Sequence, residues 1–479
     1  MSGKHRKRSH VQTEVAKRGG TGLAAAALSI TGLSTAVVTG TTTAVAPNVQ
    51  LMALVSAANS TSQFFAGSSY YGTDWTTRYG EQEVVPFFRG PQGLAEVING
   101  VQNGDSQTGV TASGWGAGQT GTALGLLDQA GNQQALDSIG LVILDNNSNR
   151  AGGGFWTTYY PFAPLLFTSA EPTPTDLELG GPMLDVAYEY NINSSAPVDP
   201  FNPFALGNSL AAYAFGYGAE NRTIEVTQEN PGDPVFYTPP NGGEPIELKP
   251  GTHYVVDEDG DLLVVDPVTG TASATNTPGT LKDANGDPVT TTYITVDSGN
   301  LPLTRVLRLI PGGDIVADTV DPVLTDLVNA GYNDGLGIEG NEAIPVNPAI
   351  PRPWKPFSSL SALDADDLGD SVEKGLEKGT DTAKADFADP SKFITKPIGE
   401  IAKLPVISTL TNSSVSQTNL TAKSNASEQK TAAETGSSKP DRPRPLKKIS
   451  DDFNSSLKKF ADSLKPKQST PSKTNEDPE

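Results

Sequence analysis

The 479-residue chain contains no cysteine and only three histidines, His5, His10 and His253. Without thiols it can have no disulfide framework, no thiolate nucleophile and no cysteine-ligated metal. His5 and His10 belong to a basic N-terminus, so His253 is the one imidazole of the body, too few for a histidine metal site. Neither a metal nor a cofactor is expected. Hydrophobic residues are also scarce, at 36%, whereas Gly (49) and Pro (37) are abundant, so part of the chain is expected to be loop or disorder. Basic residues are thin in the middle: 21–340 hold 8 Lys/Arg against 34 Asp/Glu. An acidic body repels phosphate backbones, so nucleic acid is not an expected partner.

The two ends differ from this body. Residues 1–20 carry six Lys/Arg against Glu14, and an uncharged stretch follows to about Ala58, with an apolar core at Leu23–Val38. That order reads as a signal peptide or N-terminal anchor over 1–58 and predicts export. Candidate cleavage points are Ala44-Val45-Ala46 and Val55-Ser56-Ala57. From about 339 to 479 a run of prolines gives way to Lys, Ser, Thr, Asp and Glu, a composition that predicts a disordered tail. Within it Leu446, Ile449, Phe453, Leu457, Phe460 and Leu464 recur at helical spacing among lysines, an amphipathic helix over about 445–465. It suits an anionic membrane surface, a partner helix, or packing on its own domain.

Between the ends, Gly109–Ser113 reads as a strand, Gly114-Trp115-Gly116-Ala117-Gly118 as a tight turn, Thr122–Leu127 as a helix and Ser138–Leu144 as a buried strand. Strand, glycine turn, helix and strand predict an α/β domain with a parallel sheet. In such a turn a hydrolase lifts its nucleophile above the sheet, but the central residue here is Gly116. The stretch from Phe155-Trp156 to Phe167 reads as pocket lining or as core. Residues 223–297 read as a β-rich insertion, with Asp257-Glu258-Asp259-Gly260-Asp261 as a hairpin turn. Two calcium-loop readings fail, because Leu262 and Pro288 occupy the position that needs glycine.

Several segments in order resemble the PE-PPE domain, a serine-hydrolase-like α/β domain of mycobacteria and related actinobacteria. They are the elbow, Asn147-Ser148-Asn149-Arg150-Ala151-Gly152-Gly153-Gly154, Pro172–Asp176, Leu301-Pro302-Leu303, Leu307-Arg308, and Asp321–Leu324 through Gly331-Tyr332. The resemblance covers about 65–338 and implies an α/β-hydrolase-like sheet. It places the family's catalytic serine, aspartate and histidine on Gly116, Asn191 and Gly216, and an oxyanion-type backbone N–H on Ala117. The expected protein is therefore an exported, non-catalytic envelope protein that binds a lipid, glycan or protein. Two readings stay beside it: an active ester hydrolase or acyltransferase with a rearranged site of Ser113 and His253, and a structural spacer.

Overall fold

Two consecutive buried strands organise the chain, and neither contains a polar break. Ile139–Asp145 and Thr108–Ser113 are buried at every position, as expected for strands covered on both faces. In a computed structural model, which describes residues 53–57, 69–101, 107–166, 168–216, 224–363 and 365–403, they lie at the centre of a nine-stranded sheet. In chain order its strands are β1 (Ala53–Ala57), β2 (Gln82–Val85), β3 (Thr108–Ser113), β4 (Ile139–Asp145), β5 (Met183–Tyr188), β6 (His253–Val256), β7 (Leu262–Val265), β8 (Ala272–Ser273) and β9 (Thr292–Val296). They are arranged β8-β7-β6-β9-β5-β4-β3-β1-β2. Only the pairings that β7 makes with β6 and β8 are antiparallel; the other strands of the sheet run parallel. The α/β core is as expected.

Alternation along β4 and β5 divides the core between the two faces. Leu141, Ile143, Leu184 and Val186 point into a cluster with Tyr70, Trp75, Tyr190 and Tyr332. Val142, Leu144 and Met183 join Leu94, Ile98, Ala117 and Leu124 from helices α1 (Gly90–Gly100) and α2 (Gly114–Gln129). Each fully buried large side chain contributes roughly 1.5–3 kcal/mol. Helix α3 (Pro203–Ala211) is entered through Asn202, whose Oδ1 accepts from the Phe204 and Ala205 N–H groups, with Pro203 at its first position.

Three boundary expectations are corrected. The sheet begins at Ala53, ahead of residue 65, and β1 is hydrogen-bonded to β2 on one side and β3 on the other. Cleavage after Ala57 would remove a fully buried strand, so that candidate site falls inside the domain. The candidate Ala44-Val45-Ala46 lies outside the described residues, as do the signal-like segment and the face of Leu446, Ile449, Phe453, Leu457, Phe460 and Leu464.

The second correction concerns 223–297. Only Glu225–Gln228, Val235–Thr238 and Ile246–Glu247 form a separate small sheet. Strands β6 to β9 enlarge the main sheet, and β9 sits between β5 and β6. The Asp257 turn does connect antiparallel β6 and β7, with Asp257 Oδ1 accepting the N–H groups of Asp259 and Asp261.

The third correction concerns the tail, which is ordered well past 339. Arg352 is buried, pairs with Asp334 at 2.8 Å and donates to the Tyr332 and Glu342 carbonyls, pinning the proline-rich strip to the domain. Helix α4 (Gly313–Asn329) then packs against α5 (Ala365–Ala388) through glycines. A Cβ on Gly375 would lie 2.1 Å from the Thr319 carbonyl oxygen, and one on Gly379 1.9 Å from Thr319 Oγ1. Helix α6 (Lys392–Lys403) adds Lys396, held between Asp314 and Asp386. Residues 404–479 lie outside the description.

Candidate functional site

Parallel α/β sheets place chemistry at the carboxyl ends of their strands. At the end of β3, Ser113 is still extended (φ −136°, ψ 150°) and Gly114 turns to φ 56° as α2 begins. A left-handed residue at a strand-to-helix junction is the geometry of a nucleophile elbow, and it is costly for any residue with a side chain. The apex is therefore Gly114, framed by Ala112 and Gly116, two residues ahead of the expected Gly116. Gly116 instead lies in the first turn of α2, its carbonyl accepting from Thr120 Oγ1 at 2.9 Å. The shift moves the oxyanion-type N–H from Ala117 to Trp115, the residue after the apex. The conclusion drawn from Gly116 carries over: the apex has no nucleophile.

The remaining glycines of the motif answer a packing demand. A Cβ on Gly118 would lie 2.2 Å from Asn149 Oδ1, and one on Gly121 2.1 Å from Thr173 Oγ1. The Asn147–Gly154 loop thus lies directly on α2. Asn147 Nδ2 donates to Thr173 Oγ1 and Asp185 Oδ2, both at 2.9 Å, and Asn149 Nδ2 donates to the Ser169 and Glu171 carbonyls. These side chains stitch 169–175 to β5 and are buried away from the sheet edge.

Asn191 is fully buried just beyond β5 and organises a turn. Its Oδ1 accepts from the Asn193 N–H, its carbonyl from the Ser194 and Ser195 N–H groups, and its Nδ2 has no partner. Gly216 ends a short turn that follows α3. The carboxyl nearest the carboxyl end of β5 is Glu189, which the sequence suggests is solvated or a cap. It is buried, and Oε2 accepts from the Ser298 N–H and Oγ, each at 2.8 Å. Burial, and then the neighbouring Asp297, push its carboxyl above the usual carboxylate range, up to about 8.

The alternative pair of Ser113 and His253 is not assembled. The register runs Ala112 to Leu144, Leu144 to Asp185, Asp185 to Tyr293 and Tyr293 to His253. Four strand spacings of about 4.8 Å put serine and histidine roughly 19 Å apart, far beyond a hydrogen bond. His253 instead sits in a buried polar cluster. Its Nε2 hydrogen-bonds Thr295 Oγ1 at 2.9 Å, and Arg150 Nη2 reaches the same hydroxyl at 3.3 Å. The Arg150 guanidinium lies 5.2 Å from the Tyr293 ring centroid and 3.6 Å from Asp185 Oδ1. Burial, and then Arg150, push the imidazole down to about 3, so it stays neutral.

The aromatic run divides. Trp156 and Tyr159 are core, Tyr160, Phe162, Leu165 and Leu166 are exposed, and Phe167 is outside the description. Trp115 links the core rings to the surface, 5.0 Å from Trp156 and 5.4 Å from Phe87. Beside it opens a cavity of about 360 Å³. A larger one, about 630 Å³, lies away from the strand ends among paired ions of α4, α5 and α6, including Arg308 with Asp318 and Lys396 with Asp314. No group of residues suited to a metal ion occurs among the described residues.

Residues 267–333 match the PE-PPE domain model. That segment is similar to the PE-PPE domain family. The match spans β8, β9 and the whole of α4, and it contains the Leu301–Tyr332 block on which the resemblance partly rests. An uncharacterized PPE family protein, PPE42, of Mycobacterium tuberculosis (strain CDC 1551 / Oshkosh) is 25% identical over 249 residues. That alignment covers 52% of this chain and 32% of the relative, so the chain matches about a third of that protein's length. No solved structure matches. Gly114, Asn191 and Gly216 lie ahead of the segment that matches the PE-PPE model. Sequence reasoning missed Gly114 as the apex, the burial of Glu189 and the cavity. A positive φ, a burial and a concavity carry no local composition signal, although the small-x-Gly-x-Gly frame at Ala112 was available.

Proposed function

We propose that this PE-PPE-like protein is exported to the actinobacterial cell envelope and there binds a lipid, glycan or protein without hydrolysing it. The carrying observation is Gly114 at the apex of the elbow: the position that would present a nucleophile presents only backbone. Two further facts support the reading. The one imidazole of the body is buried about four strands away and stays neutral, and the carboxyl on the neighbouring strand, Asp145, is buried and accepts from the Tyr71 hydroxyl and Asn146 Nδ2, neither of which is a histidine. Trp115 and the exposed rings around it supply a surface that can still receive a ligand. A fluorophosphonate probe tests the reading, since it phosphonylates activated serines, the serine oxygen displacing fluoride from phosphorus. Intact-mass measurement should show no adduct on the full chain, and a stoichiometric adduct would refute the proposal. The lysine-flanked apolar face at 446–464 supports an added contact with an anionic membrane surface. Replacing Phe453 and Phe460 by serine should abolish co-sedimentation with anionic vesicles, and unchanged co-sedimentation would remove this contact from the account.

A further inference from the structure

We propose that the cavity beside the elbow is a subsite for a neutral, hydroxyl-rich ring, one or two pyranose units of a glycan. The inference rests on the non-catalytic binding reading and names the ligand class for that face. About 360 Å³ lies at the small end of ligand sites, which run from about 300 to 1,000 Å³. Its apolar lining includes Phe87 and Trp115, set edge to face, and the exposed Leu166. Rings of this kind pack against the C–H face of a sugar.

The polar wall is made of amides and a hydroxyl with capacity left over. The exposed Gln92 side chain has no hydrogen-bond partner among the described residues. Gln119 uses one Nε2–H on the Phe87 carbonyl at 3.4 Å, which leaves Oε1 and the second N–H. Ser169 Oγ accepts from the Glu171 N–H at 3.0 Å and keeps its own proton to donate. The wall therefore offers donors and acceptors side by side, as a vicinal diol requires.

Charge narrows the class further. Among the described residues no carboxylate lines the cavity, and the one cation on its lining, Arg89, is turned to Glu96 at 3.0 Å. Neither a cationic nor an anionic ligand finds a free counter-ion there. An acyl chain would fit the apolar wall but would strip water from the polar side chains facing it without offering them a hydrogen-bond partner. A sugar ring satisfies both walls.

The test uses the full chain, titrated calorimetrically with maltose, cellobiose and lactose, and with octanoate as the acyl comparator. Saturable binding of at least one disaccharide is expected, weakened at least tenfold in the Gln92→Ala/Gln119→Ala variant with an unchanged circular dichroism spectrum. Octanoate should give no heat of binding. Octanoate binding without saccharide binding, or saccharide binding indifferent to the double variant, would overturn the glycan subsite. Silence from all four ligands would overturn it as well. None of these results touches the non-catalytic reading, which fails separately if the same preparation takes up the fluorophosphonate.

Discussion

Two regions of the sheet have exchanged chemistry. At the carboxyl ends of the strands, where a hydrolase needs a nucleophile and a base, the chain places Gly114, the amide of Asn191 and two buried carboxyls, Asp145 and Glu189, with no imidazole among them. In the interior, under the Asn147–Gly154 loop, it places Arg150, Asp185 and His253, all buried. One face of β5, β9 and β6 is thus covered by a polar loop and the 344–352 strip, while α1 and α2 cover the β3–β4 half. The difference teaches that a count of ionisable residues does not locate a site. Here they bind the architecture together.

The comparison is broken most violently inside the cluster. Arg150→Met would leave Asp185 buried without its counter-ion and should cost about 3–5 kcal/mol, read as a fall in the urea midpoint. The double variant Arg150→Met/Asp185→Leu should recover most of that loss. No recovery would mean that packing, not charge, sets the cost.

At the ordered tail, Gly375→Ala pushes a methyl into the Thr319 carbonyl and should cost about 1–3 kcal/mol, measured by thermal denaturation. A neutral result would show that α5 is only loosely held on α4.

The pH dependence sharpens the contrast from both ends. His253 sits at about 3 when folded, below its ordinary 6.5. Its stabilisation is complete above 6.5 and is lost as pH falls from there toward 3. Glu189 sits at about 8 when folded, above its ordinary 4.5. Its stabilisation is complete below 4.5 and is lost as pH rises toward 8. The two intervals overlap from 4.5 to 6.5, where the opposing slopes cancel, so stability should be greatest there, and Glu189→Gln should flatten only the alkaline limb in urea titrations. An alkaline limb unchanged in that variant would contradict the burial argument.

What was legible in the sequence was what local composition controls. The uninterrupted apolar run of 139–145 and the Asp257 turn were readable because each has one physical solution. The elbow was read two residues late, since the glycines of 114–118 fit two frames and only the φ of Gly114 separates them. Strand β1 was hidden because Val55-Ser56-Ala57 satisfies a signal cleavage site and a buried strand equally well. Helix α5 was hidden because its lysines and aspartates read as solvated, whereas its contact with α4 runs through glycines that carry no apolar signal. The burial of His253 follows from β9 entering the sheet next to β6, a long-range pairing that no local window contains.

The smallest expected effect is also the most decisive. Hydrolysis of p-nitrophenyl esters of several acyl lengths is measured for the full chain beside Ser113→Ala and Gly114→Ser. The account predicts background rates for all three, because serine restored at the apex still lacks a base. Turnover by the unmodified chain that disappears in Ser113→Ala would contradict the central claim that the catalytic end of this sheet has been emptied.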